Sequence, residues 1–210
     1  VRAAIEIVSV NVGRPRSLTV KGRERVTGIF KEPITSRVAV RGDSVGDDVQ
    51  MDKQHHGGPF QAVYVYALED YEWWSRELKL DLVPGTFGEN LTTRGIDLSL
   101  ARVGERWRVG TVELVVTSPR IPCSTLASRM EQPGFVKRFA AAERFGAYCQ
   151  IAGSGDIGMG DALEVLHRPD HGVTVVDVAR VHYSKDPVES LRIFEATGGP
   201  EFLAHLAEVS

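Results

Sequence analysis

Short β-branched runs punctuated by glycine constrain this chain more than any other feature. Residues 3–12, 37–41, 61–66, 106–109, 111–117, 146–151 and 162–166 are rich in Val, Ile, Thr or aromatic residues and are bounded by Gly or Pro. Such runs read as strands. In 111–117, Val112, Leu114 and Val116 share one face at period two. In 3–12 the apolar phase switches between Ile7 and Val8, which predicts a bulge or burial on both faces. The chain carries 21 glycines, enough for many tight turns between strands. Many short strands with such punctuation predict a barrel or a sandwich.

Helical patterns interrupt the strands. In 67–79, Leu68, Tyr71, Trp74, Ser75 and Leu78 fall on one stripe. Residues 124–130 and 134–145 follow, the second with Phe135, Phe139 and Ala142 at helical spacing. The polar stretch 167–172 reads as a linker. Beyond it, Thr174 with Asp177 resembles a capping box, although Val173, Val175, Val176, Val178 and Val181 locally favour a strand. Asp186-Pro187-Val188-Glu189 is a helix start, and Gly198-Gly199-Pro200-Glu201 closes one helix and opens another. The class expected is mainly β with added α (α+β). It divides into a β domain over 1–170 and a small helical appendage over 172–210.

Composition narrows the function. The 210 residues have 25% charged side chains and a net charge of -3, so no basic excess points to a nucleic-acid polymer. No apolar run reaches bilayer length, and Val1–Val12 mixes Arg2 and Glu6 into its apolar residues, unlike a secretory signal. Two cysteines, Cys123 and Cys149, make no disulfide framework, and a reducing cytoplasm is the simplest compartment.

Chemistry concentrates in a few loops. Cys123 ends Ser118-Pro119-Arg120-Ile121-Pro122-Cys123, after a β run and before a short helix. A helix N-terminus and the nearby Arg120 charge favour a thiolate, a soft metal ligand or nucleophile. The plainer alternative is a small buried hydrophobe, which is how Cys149 reads. His55-His56-Gly57-Gly58 follows Asp47, Asp48, Asp52 and Lys53. Adjacent histidines point apart, so a polar loop competes with a ligand-contacting loop in which Gly57 allows close approach. In Gly85-Thr86-Phe87-Gly88-Glu89-Asn90-Leu91 the Asn90 amide could read a heterocycle edge or hold a turn. Lys31, in Thr27-Gly28-Ile29-Phe30-Lys31-Glu32-Pro33, could meet a phosphate or lie in solvent. No Walker loop, dinucleotide fingerprint or nucleophile elbow is present.

These loops, in this order, resemble the MOSC family, the molybdenum-cofactor sulfurase C-terminal domain family, and more narrowly its YiiM-like branch. The matching residues are 27–33, 46–47, 52–58, Ala62-Val63-Tyr64, 87–91, Pro119-Arg120-Ile121-Pro122-Cys123 and Gly146-Ala147-Tyr148. The resemblance implies a MOSC-type β-barrel followed by a three-helix appendage, and so turns 174–182 toward helix. It implies a pterin-based molybdenum cofactor (molybdopterin with Mo), independent of pyridoxal phosphate, with Cys123 as the molybdenum ligand. It implies cofactor or substrate contacts at His55, His56, Gly57, Glu89, Asn90 and Arg120, and phosphate contacts at Lys31, Ser36 and Arg37. The activity implied is reduction of N-hydroxylated compounds such as hydroxylamino nucleobases, with electrons from a separate redox protein. Catalysis would rest on Cys123, His55 and His56. Two other roles stay open: a non-catalytic cofactor or persulfide sulfur carrier, and an adaptor whose helical tail forms a homodimer or partner surface.

Overall fold

The computed structural model describes residues 4–51 and 57–207. Strand β1 (Glu6–Gly13) leads into the hairpin β2 (Arg16–Val20) and β3 (Arg23–Thr27), then β4 (Lys31–Ile34), β5 (Val38–Arg41) and β6 (Ser44–Val45). Next come β7 (Val63–Ala67), helix α1 (Leu68–Leu78), β8 (Leu91–Arg94), β9 (Arg106–Val109) and β10 (Val112–Ser118). Helices α2 (Ser124–Met130) and α3 (Phe135–Ala142) precede β11 (Ala147–Gly153), β12 (Gly155–Ile157) and β13 (Leu163–His167). The chain continues through α4 (Val175–Ser184), α5 (Pro187–Ala196) and a 3-10 turn, Glu201–Leu206.

The main sheet runs β13-β9-β10-β11-β7-β8-β1-β4. Its ends meet: the Leu163 N–H donates to Ile5 O at 2.9 Å and the Ile7 N–H to Asp161 O at 2.8 Å. Closure removes the open edge and makes a barrel. The phase switch in β1 is a bulge, where the register with β8 slips between Ile7 and Ser9. Strands β7 and β8 pair in parallel, which requires a crossover, and α1 supplies it.

Two cores result. Val10, Val65, Leu91, Val109, Leu114 and Val116 fill the barrel. The opposite face of β7 presents Tyr64 and Tyr66 to Trp74, Phe87, Phe135 and Phe139, beneath α1 and α3. Strand β7 is therefore buried on both sides.

The capping box forms, with the Asp177 N–H donating to Thr174 Oγ1 and the Thr174 N–H to Asp177 Oδ2. Tertiary burial of Val175, Val176, Val178 and Val181 outweighs their strand propensity. The 167–172 stretch is pinned to the barrel: Arg102 donates to Pro169 O at 2.6 Å and His171 Nε2 lies 3.1 Å from Val103 O. The last expected helix is a six-residue 3-10 turn, too short after Gly198-Gly199-Pro200 to build an α-helix.

Candidate functional site

A cavity of about 170 Å³ opens between the β3–β4 loop, β7, and the segment leading into α2. Cys123, Arg120, Lys31 and Asn90 all line it. Four of the residues singled out in the sequence thus converge from three separate stretches of chain. Cys123 is the half-buried N-cap of α2, in extended conformation (φ -119°, ψ 173°). Helix α2 is tied to the glycine loop across the cavity, because Arg129 Nε donates to Thr86 O at 2.7 Å.

Arg120 is the most unusual group. It is 6% exposed, its Nε has no hydrogen-bond partner, and its guanidinium lies 5.0 Å over the Tyr64 ring. Burial works against its charge, but Tyr148, Tyr64, Cys123 and Glu89 outweigh that and raise its pKa. A buried cation without an anion is costly and is a mark of a binding site. Gly88 permits it: at φ +78°, a Cβ there would sit 2.9 Å from Ile29 Cγ1 and 3.7 Å from Arg120 Nη1.

Lys31 is buried against Asp48, whose Oδ2 accepts a hydrogen bond from Lys31 Nζ in a close ion pair. Burial pushes the Lys31 pKa down, and Asp48 pulls it back up. Asp48 is fully engaged, accepting also from the Gly13 N–H at 2.6 Å and Asn90 Nδ2 at 2.9 Å. Asn90 in turn accepts the Tyr64 N–H at 3.1 Å through Oδ1. Its amide thus braces β7 against the cavity wall, a long-range contact in place of the local turn that the sequence offered as one reading.

Glu89 does not line the cavity. It is fully buried, and Oε1 gathers donors from Tyr71, Gly85 and Thr92, each at 2.7 Å. Burial raises its pKa, against those hydrogen bonds. Glu89 holds the loop from beneath. Ser36 is exposed, and Arg37 is bound to Asp156 and Asp161 on the surface. Neither these two nor Gly57 is among the residues lining the cavity. The β4–β5 turn carries Ser36 and Arg37 away from it. His55 and His56 lie outside the described residues. Cys149 is buried in the barrel, which raises its thiol pKa.

Sequence reasoning missed Tyr64, Tyr148 and Gln61 as lining residues. The tyrosines sit 5.0 Å apart, ring to ring, on neighbouring strands. Their shared phase on β7 and β11, opposite the barrel-facing Val63 and Cys149, was the available signal.

The MOSC domain model matches residues 52–164, which hold Cys123, Arg120 and Asn90. The chain belongs to the MOSC domain family. The uncharacterized protein YflK of Bacillus subtilis is 33% identical over 177 residues, 84% of this chain and 80% of YflK. A protein named reductase from Gibberella moniliformis is 31% identical over 83% of this chain, but over only 32% of that longer protein. The crystal structure of YiiM from Geobacillus stearothermophilus superposes with a TM-score of 0.77 at 25% identity, covering 97% of this chain and 99% of YiiM. That likeness extends over β1–β6, so the MOSC fold here includes the strand that delivers Lys31. No helix among the described residues is long and apolar enough to cross a membrane.

Proposed function

We propose that this MOSC protein is a molybdenum-cofactor oxidoreductase that reduces N-hydroxylated compounds. The observation that carries the reading is the buried Arg120, whose Nε has no hydrogen-bond partner among the described residues, beside the Cys123 thiol in one cavity. The donor set suits the cofactor. A thiolate is the soft ligand molybdenum prefers, and a buried guanidinium complements an anionic pterin or phosphate. Among the described residues, no group of three or more His, Cys, Asp or Glu side chains is gathered for a metal. The protein's own contribution to the metal would be Cys123, with Arg120 and Lys31 holding the anionic part of the cofactor.

When bound, the cofactor supplies two-electron reduction with removal of oxygen from an N–OH group. The chain's residues do the rest. Gly88 and the β3–β4 loop let backbone approach the bound group closely. The Tyr64 and Tyr148 rings exclude water from one side of Arg120. Asp48, saturated by Gly13, Asn90 and Lys31, fixes the charge pattern before any ligand arrives. Electrons come from a separate redox protein.

The test is reduction of hydroxylaminopurine to adenine by anaerobically purified protein with a chemical reductant. Wild type is expected to turn over, and Cys123→Ser to lose at least roughly a thousandfold in kcat, as for loss of a reacting-centre ligand. Equal turnover in the variant would overturn the assignment. Cofactor or sulfane sulfur on the protein without any turnover would favour the carrier role.

A further inference from the structure

A second cavity, of about 300 Å³, adjoins the first. Gln61 and Tyr148 line both. The segment between β10 and α2 separates them, with side chains alternating: Arg120 and Cys123 face the first cavity, Pro119 and Ile121 the second. The far side of the second comes from the C-terminal elements, through Phe202 of the 3-10 turn and His182 of α4. Phe202 is held in place by Phe60, ring centroids 5.7 Å apart.

We infer that the second cavity is the subsite for the organic body of the substrate, a neutral aromatic or heteroaromatic ring whose N-hydroxyl group reaches past Gln61 and Tyr148 toward Cys123. The inference rests on the reductase reading above. Three observations carry it. The walls are flat or apolar (Pro119, Ile121, Tyr148, Phe202) and suit a planar ring. Gln61 Oε1 is buried with no hydrogen-bond partner. A primary amide with a spare acceptor and an NH₂ group matches the paired donor and acceptor of a heterocycle edge. Cys123, Arg120 and Lys31, the groups assigned to the cofactor, all line the first cavity, so the organic body of a substrate needs a space of its own. At the rim, burial and Lys185 lower the His182 pKa, which favours its uncharged form. The C-terminal elements would then set substrate choice, while the barrel holds the reacting centre.

The experiment compares cofactor-loaded wild type with His182→Trp, which fills the mouth, and Gln61→Leu, which removes the amide at similar volume. Steady-state kinetics use hydroxylaminopurine and hydroxylamine, the second having no ring. Saturation-transfer NMR follows hydroxylaminopurine binding independently of turnover. His182→Trp is expected to raise KM for the purine at least about tenfold more than KM for hydroxylamine, and Gln61→Leu to raise it about threefold, the effect of one lost hydrogen bond. Both variants should weaken the NMR signal in step. Turnover with purine KM unchanged in both variants would overturn the subsite and leave the reductase reading standing. Purine binding that both variants weaken, without turnover in wild type, would keep the subsite and overturn the reductase reading. No purine binding to wild type would overturn the subsite. The Gln61→Leu variant keeps the test valid if the tryptophan disturbs α4.

Discussion

Lys31 and Arg37 stand six positions apart and look alike in the sequence, yet the fold puts them in opposite circumstances. Lys31 begins β4, deep against Asp48, where the two side chains are 8% and 2% exposed. Arg37 precedes β5 and spans Asp156 and Asp161 in water, itself 49% exposed. Both are ion pairs. Lys31 faces a cavity, beside Arg120, a second buried cation whose Nε has no hydrogen-bond partner among the described residues. Environment rather than residue type separates a site from a surface staple. Exposed pairs are screened and contribute little, whereas buried charges tolerate the loss of a partner poorly.

Breaking the buried pair should have the largest effect. Asp48→Ala strands Lys31 and leaves the Gly13 N–H and Asn90 without their acceptor. We expect a loss of about 3–5 kcal/mol in urea unfolding. Lys31→Met leaves Asp48 as a buried charge that keeps its hydrogen bonds from the Gly13 N–H and Asn90, so its loss should be smaller, about 1–3 kcal/mol. Equal losses in the two variants would show that those two hydrogen bonds add nothing to the pair.

Arg120→Met comes next and should have the opposite sign. Removing a buried cation whose Nε has no hydrogen-bond partner among the described residues is expected to stabilise the ligand-free protein by about 1–3 kcal/mol while weakening cofactor retention. Thermal unfolding of cofactor-free protein measures the first part. A destabilised variant would mean that packing on Tyr64 outweighs the unpaired charge.

Glu89→Gln tests the support beneath the cavity through pH. The folded Glu89 pKa is raised above the ordinary 4.5 by burial. Its contribution is therefore complete below 4.5 and is lost as pH rises through the folded value. Wild-type stability should fall relative to the glutamine variant over that window. Parallel curves would show that the carboxyl is ionised at no cost.

The smallest effect belongs to Arg37→Ala. Asp161 has its pKa lowered by the Arg37 hydrogen bonds, so this stability is present above the ordinary carboxylate value and is lost as pH falls through the lowered one. At neutral pH and physiological salt the melting point should move little, and cofactor content should not change. A large loss of bound cofactor would return Arg37 to the site.

What the sequence made legible follows from which signals are local. The strand runs, the α1 stripe and the β1 bulge were readable because periodicity is local. So were Cys123 and Arg120, which share one short segment, and Lys31, whose loop glycines mark close backbone packing: a Cβ on Gly28 would lie 2.0 Å from Val49 O. The β2–β3 hairpin escaped notice because Arg16, Arg23, Glu24 and Arg25 leave it only a short apolar face, Leu18 and Val20. Only its Lys21-Gly22 turn, at φ 50° and 74°, marks it. Strand β8 was hidden by Thr92 and Thr93, which are buried and polar. Ser36 and Arg37 do not line the cavity with Lys31 because the bend after β4 leads into β5, a strand of another sheet, which no periodicity records. Tyr148 and Gln61 meet Cys123 only through long-range pairing of strands.

The most direct test of the central claim is molybdenum per chain, measured by elemental analysis on protein purified anaerobically from a cofactor-competent host. Wild type, Arg37→Ala, Arg120→Met and Cys123→Ser would be compared. The account predicts near-stoichiometric metal in the first two and marked depletion in the last two. Equal metal in all four, or depletion in Arg37→Ala alone, would contradict it.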